Sequence, residues 1–143
     1  GTYETLNEVL VSLFRDVNDI EQKAIITSEF GDLTNNDMHV IEAIGIDEPK
    51  NMSTIARALS VTVGTLTISM NSLVKKGYVD RQRSSEDRRV VYISLSEKGV
   101  KAYYHHKKFH EQMIDSVVEE LTEEELEALV KALTKLNNWF RSF

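Results

Sequence analysis

Residues 53–99 carry a short helix, a turn, a second helix and an arginine-rich hairpin, in an order that leaves few folds open. Thr62 offers a hydroxyl to cap a helix start, and Gly77 suits the left-handed position just past a helix end. Between them Val63, Leu66, Met70, Leu73 and Val74 recur at helical spacing and make one apolar face. At about 100° per residue, the opposite face carries Gly64, Thr65, Ile68, Asn71, Ser72 and Lys75. That face is small, mostly polar and free of acids. Hydroxyls and amides arrayed in this way suit a DNA major groove, where they meet base edges and phosphates.

Residues 78–83 alternate as a strand, and residues 90–95 read as its partner. The connection, residues 84–89, is polar and turn-forming. A helix-turn-helix followed by a basic hairpin predicts a winged helix, with Arg81, Arg83, Arg88 and Arg89 offered to the minor groove or to phosphates. Ser53 and Thr62, read as the caps of the two helices, are placed for phosphates.

The formal net charge of −6 argues at first against nucleic acid. Its distribution reverses that. Residues 1–51 hold three Lys/Arg against eleven Asp/Glu, and residues 100–143 hold six against eight. Residues 52–99 hold eight against four. Positive charge is therefore concentrated where phosphate attraction needs it. A module of a different class stays open at this point: the basic hairpin docking an acidic protein.

The 143 residues suffice for one domain with a helical extension. There is no cysteine, which excludes disulfides and thiolate metal sites. No run of eighteen apolar residues and no signal-peptide pattern occurs, so a cytoplasmic protein that makes no use of a membrane is expected. No Gly-rich phosphate loop, nucleophile elbow or paired carboxylates in a cleft point to an enzyme.

In chain order, residues 5–23 form an amphipathic helix with Leu6, Leu10, Leu13, Val17 and Ile20 on one stripe. Thr34 caps a helix through Gly45, with Asp37 as its capping-box partner. Pro49 breaks the chain, and Ser53 is expected to cap the first helix of the helix-turn-helix, residues 54–59. Ser96 opens a long helix from Glu97 to about Leu121, and Thr122 with Glu125 opens a last one to Phe143. Mainly α with a β-hairpin wing is the fold class: a winged helix-turn-helix at 34–96, flanked by dimerisation helices at 1–33 and 97–143. The flanking helices bear apolar stripes that a lone small domain leaves bare. A second copy covers them and sets two recognition helices side by side for a palindrome.

Nearly the whole chain resembles the MarR family of bacterial transcription regulators. The likeness is carried by Ile55-Ala56-Arg57-Ala58-Leu59-Ser60-Val61-Thr62, by Leu73-Val74-Lys75-Lys76-Gly77-Tyr78-Val79, and by Asp87-Arg88-Arg89 followed by Leu95-Ser96-Glu97-Lys98-Gly99. It implies a homodimeric repressor, with Thr65 and Thr67 facing double-stranded DNA and Arg89, held by Asp87, at the wing tip. Many members carry an arginine where Ile68 stands. A guanine contact is lost there; an apolar contact to a thymine methyl, and with it a site leaning to A·T pairs with more wing and shape readout, stands beside the equal reading of Ile68 as a tolerated exposed apolar residue.

Within that family, residues 38–45, 66–73 and 109–113 resemble the branch that represses fatty-acid synthesis genes in streptococci and their relatives. This resemblance implies a long-chain acyl group on acyl carrier protein as co-repressor, with Ile20, Ile26, Phe30, Met38, Ile41, Phe109 and Met113 as candidate lining residues. Each of the same side chains reads more simply as core.

An alternative effector is zinc. His106 and His110 stand four apart on one helix, and His39 and Glu21 come from others, a donor set of the tetrahedral type. Zinc-sensing members are similar in drawing ligands from these elements. His105 is expected to point elsewhere, into solvent.

Overall fold

The computed structural model describes residues 1–143. Helix α1 spans Thr2–Ile26, α2 Asn35–Ile44, α3 Met52–Leu59, α4 Val63–Lys76, α5 Glu97–Glu120 and α6 Glu123–Arg141. Strands β1 (Lys50–Asn51), β2 (Val79–Arg83) and β3 (Val91–Leu95) form one antiparallel sheet in the order β1-β3-β2. The chain divides into two compact units, Gly1–Lys107 and Lys108–Phe143.

Local chemistry sets most boundaries. Thr34 and Asp37 form the expected capping box, each side chain bonding the other's backbone N–H at 3.0 Å. Thr122 and Glu125 repeat it at the start of α6. Thr62 caps α4, and Gly77, with φ +88°, ends it. The cap of α3 is Asn51 rather than Ser53: its Oδ1 accepts from Thr54 N at 2.8 Å. Asn is as good an N-cap as Ser, and pairing of Asn51 with Tyr92 fixes the extended backbone that a cap requires. That two-residue strand was not evident in the sequence. Ser53 is the second residue of α3, exposed.

In the first unit, one face of each element closes on a single core. Ile25, Phe30, Leu33, Met38, Val40, Ile41, Ile44, Ile55, Leu66, Met70, Leu73, Tyr78, Val79 and Ile93 are all buried in it. Val63, expected on the apolar face of α4, is 45% exposed at the helix's first position. Most of α1 contributes little: Ile25 is its one buried residue. In the second unit, α6 buries none of its residues.

The recognition helix is pinned at its C-terminal end. Lys76 Nζ binds the buried Asp37 carboxylate at 3.0 Å and the Asp32 carbonyl at 2.7 Å. Tyr78, fully buried, donates its hydroxyl to the Asp32 carboxylate. Burial first, and then that bond, push the phenol well above its usual pKa, so it stays a neutral donor.

Two sets of variants test these features by urea denaturation. A Cβ at Gly99 stands 2.1 Å from the Tyr78 carbonyl oxygen, so Gly99→Ala is expected to cost about 2 kcal/mol or more. Asn51→Ala is expected to cost about 1 kcal/mol, and Ser53→Ala less than about 0.5 kcal/mol. The reverse order would restore Ser53 as the cap.

Candidate nucleic-acid interface

The outward face of α4 is preorganised by its own hydroxyls. Thr62 Oγ1 accepts from Thr65 N at 3.1 Å and donates to Thr65 Oγ1 at 2.9 Å. The Thr65 hydroxyl therefore keeps its own proton for a ligand. Gly64, Thr65, Asn71 and Lys75 are exposed, and Ile68 stands 75% exposed at the middle of the face. Ser72 and Thr67 are half-buried, and the Thr67 hydroxyl donates to the Val63 carbonyl at 2.8 Å. Thr67 thus spends its proton within the helix and can only accept from outside.

The hairpin brings its arginines alongside this face by alternation. Arg81 pairs across the sheet with Ile93 and Arg83 with Val91. Arg81, Arg83, Met52, Thr67 and Val91 line a cleft of about 410 Å³. Arg81 Nη2 donates to Asn71 Oδ1 at 2.7 Å, tying strand to helix. Arg83 donates to the Arg88 carbonyl across the wing. Arg88 itself is exposed.

At the wing tip Ser84 Oγ accepts from the Glu86 and Asp87 N–H groups, and Asp87 closes on Arg89. Arg89 Nε and Nη2 each donate to the Asp87 carboxylate at 3.1 Å, and Arg89 N adds a third bond at 3.0 Å. These bonds hold the Asp87 carboxyl below its usual pKa. The clamp is therefore complete above the ordinary aspartate range and is lost only as pH falls through the depressed value. The Arg89 side chain is nevertheless 90% exposed, oriented but not consumed.

The remaining candidates are dispersed. Ile20 and Ile26 are more than half exposed, Phe30, Met38 and Ile41 are core, and Phe109 and Met113, in the second unit, are half-buried. No three His, Cys, Asp or Glu side chains converge into a group that could hold a metal ion. His106 is buried with Nε2 at 3.5 Å from Glu42, His39 is exposed, and Glu21 and His110 are half-buried. His105 is not solvated as expected. Its ring centroid lies 5.4 Å from that of Phe30, and its Nε2 is buried without a partner, because α5 turns that face onto the loop after α1.

Comparison with known proteins places this geometry. A MarR family model matches residues 31–90. Streptococcus pneumoniae FabT, solved in complex with DNA, superposes with a TM-score of 0.92 at 38% identity over 98% of each chain. The transcriptional regulator SarZ of Staphylococcus haemolyticus is 30% identical over 127 residues, which cover 89% of this chain and 85% of SarZ. The chain belongs to the MarR family. A MarR-like fold is also shared with the DNA complex of S. aureus MepR, with a TM-score of 0.69 at 27% identity over 90% of this chain and 96% of MepR. The protein is a DNA-binding transcriptional regulator of that family and not an enzyme. No helix is long and apolar enough to cross a membrane.

The clamped Arg89 gives a direct test. In a gel-shift titration Arg89→Ala is expected to weaken DNA binding about tenfold, or ~1.4 kcal/mol, with unchanged thermal unfolding. Unaltered affinity would remove the wing tip from the interface.

Proposed function

We propose that this MarR-family regulator is a homodimeric repressor of fatty-acid biosynthesis genes, with long-chain acyl-acyl carrier protein as its co-repressor. The observation that carries the reading is the likeness to FabT of Streptococcus pneumoniae, solved in complex with DNA, which extends over almost the entire chain and agrees with the resemblance of residues 38–45, 66–73 and 109–113 to the fatty-acid branch of the family. DNA is met by Thr65, Thr67, Ile68, Asn71, Ser72 and Lys75 of α4 and by Arg81, Arg83, Arg88 and Arg89 of the wing. Ser53 and Thr62 stand at helix starts, where backbone N–H groups favour phosphate.

Dimerisation is supported by surfaces that water tolerates poorly. In the first unit Leu6, Val9, Leu13, Phe14 and Ile20 of α1 are each more than half exposed. In the second, Val130, Trp139 and Phe140 of α6 are as bare, with Leu133 and Leu136 close behind. Two-fold pairing buries such stripes and presents two wings to a palindromic operator.

For the effector, long-chain acyl-acyl carrier protein is expected to tighten binding about tenfold on duplexes that the protein selects from a random pool. Unacylated carrier protein is expected to leave affinity unchanged. Equal affinity with and without the acyl chain sinks the lipid reading, and zinc that co-purifies with loss of DNA binding on chelation would replace it. The same titration, repeated as salt is raised, is expected to lose affinity steeply through counterion release. A flat dependence would favour an acidic protein as the partner of the hairpin.

A further inference from the structure

Asn71 lies on the exposed face of the recognition helix and Arg81 on the strand that follows it. Alternation along β2 puts Arg81 on the same face as the buried Val79, opposite Ile93, so its side chain is directed at α4. There Nη2 donates to Asn71 Oδ1 at 2.7 Å. A guanidinium has five donors and no acceptor, so the carboxamide can meet it only with its oxygen. Turning the amide over would set NH2 against N–H.

We propose that Arg81 is a positioning residue for sequence readout: it locks the Asn71 carboxamide so that base edges in the major groove meet its NH2 group. The proposal rests on α4 docking in that groove. A free asparagine can present either end. It accepts from the exocyclic amine of cytosine with its oxygen, or donates to purine N7, guanine O6 or thymine O4 with its nitrogen. The locked amide keeps its donors forward, so the side chain selects an acceptor and rejects the cytosine amine. The order of the elements makes this coupling local to each half-site, because Asn71 and Arg81 are ten residues apart in one chain. Arg81 also lines the cleft between α4 and the wing strands, where its other donors are left for a phosphate. The two roles predict different outcomes.

The test compares wild type, Arg81→Ala, Arg81→Lys, Asn71→Ala and the Arg81→Ala/Asn71→Ala double variant, all checked by thermal unfolding. Each is titrated against duplexes that the wild type enriches from a random pool and against their single-pair variants. Arg81→Ala is expected to relax discrimination at one base pair about tenfold, with cytosine newly tolerated. Asn71→Ala is expected to relax the same pair, and the double variant no further. Arg81→Lys, which keeps a cationic donor, is expected to recover part of the preference. If Arg81→Ala lowers affinity by one factor on every duplex and reduces the salt slope, Arg81 is a phosphate anchor and the proposal is overturned. Relaxation at a pair other than the one Asn71 reads would overturn it equally, since Arg81 would then read a base itself. Failure of the wild type to enrich any sequence would remove the groove docking on which the proposal stands.

Discussion

The interface depends on a close approach of backbone to backbone where α4, the wing and α5 meet. The Tyr78 carbonyl accepts from Ser96 N at 2.9 Å, while Gly99 lies so near it that no Cβ fits. Ser96 Oγ donates to the Gly77 carbonyl at 2.6 Å and accepts from Gly99 N at 3.1 Å. One hydroxyl thus ends the recognition helix and starts α5. Lys98 adds its ammonium over the Tyr78 ring at 4.3 Å. Because the strands leave from this junction, any shift in it re-aims the hairpin relative to α4. The Leu95-Ser96-Glu97-Lys98-Gly99 motif is therefore a geometric requirement: small where backbones touch, hydroxylated where two helix ends share a partner.

Electrostatics explain how an acidic chain presents a DNA-binding face. Residues 52–99 hold eight Lys/Arg against four Asp/Glu, and the buried Asp37 is used internally, neutralising Lys76 at the end of the recognition helix. On the wing three of the four arginines are held by a neighbour. Arg81 is held by Asn71, Arg83 by the Arg88 carbonyl and Arg89 by Asp87. Holding a long flexible cation in place beforehand reduces the side-chain entropy lost on binding. Asp87 lowers the local positive charge, but it spares Arg89 the cost of becoming ordered at the moment of contact.

What the sequence made legible was whatever a few neighbouring residues decide. Thr34 with Asp37, Thr62, Gly77 and Thr122 with Glu125 all act within one turn of their own backbone, and each stands where its spacing predicts. Sequence alone does not separate Asn51 from Ser53 as the α3 cap, because the two are chemically equivalent candidates. What selects Asn51 is a strand pairing with Tyr92, forty-one residues away. The burial of His105 is hidden from the sequence for a related reason: Phe30, which packs on it, comes from a loop whose path no periodicity describes. Asn71 and Arg81 were each legible as candidates for DNA. Their hydrogen bond was not, since it needs the twist of the hairpin against α4.

That pair also bears on why α4 can do without an arginine of its own. A guanidinium on the helix reads guanine strongly, but it supplies charge and specificity through one side chain. Here the two are divided. In the proposed complex Ile68 offers an apolar tip suited to a thymine methyl, Thr65 and Asn71 offer neutral polar groups, and the four arginines stand on the wing, two on β2 and two in its turn, with Lys75 the one cation of the α4 face. Neutral readers on α4 gain little from non-specific phosphate attraction, so the helix binds well only where base edges match. On the same proposal the sequence-independent affinity falls to the wing. A regulator built in this way could change its operator through two or three small side chains while leaving the electrostatic anchor in place.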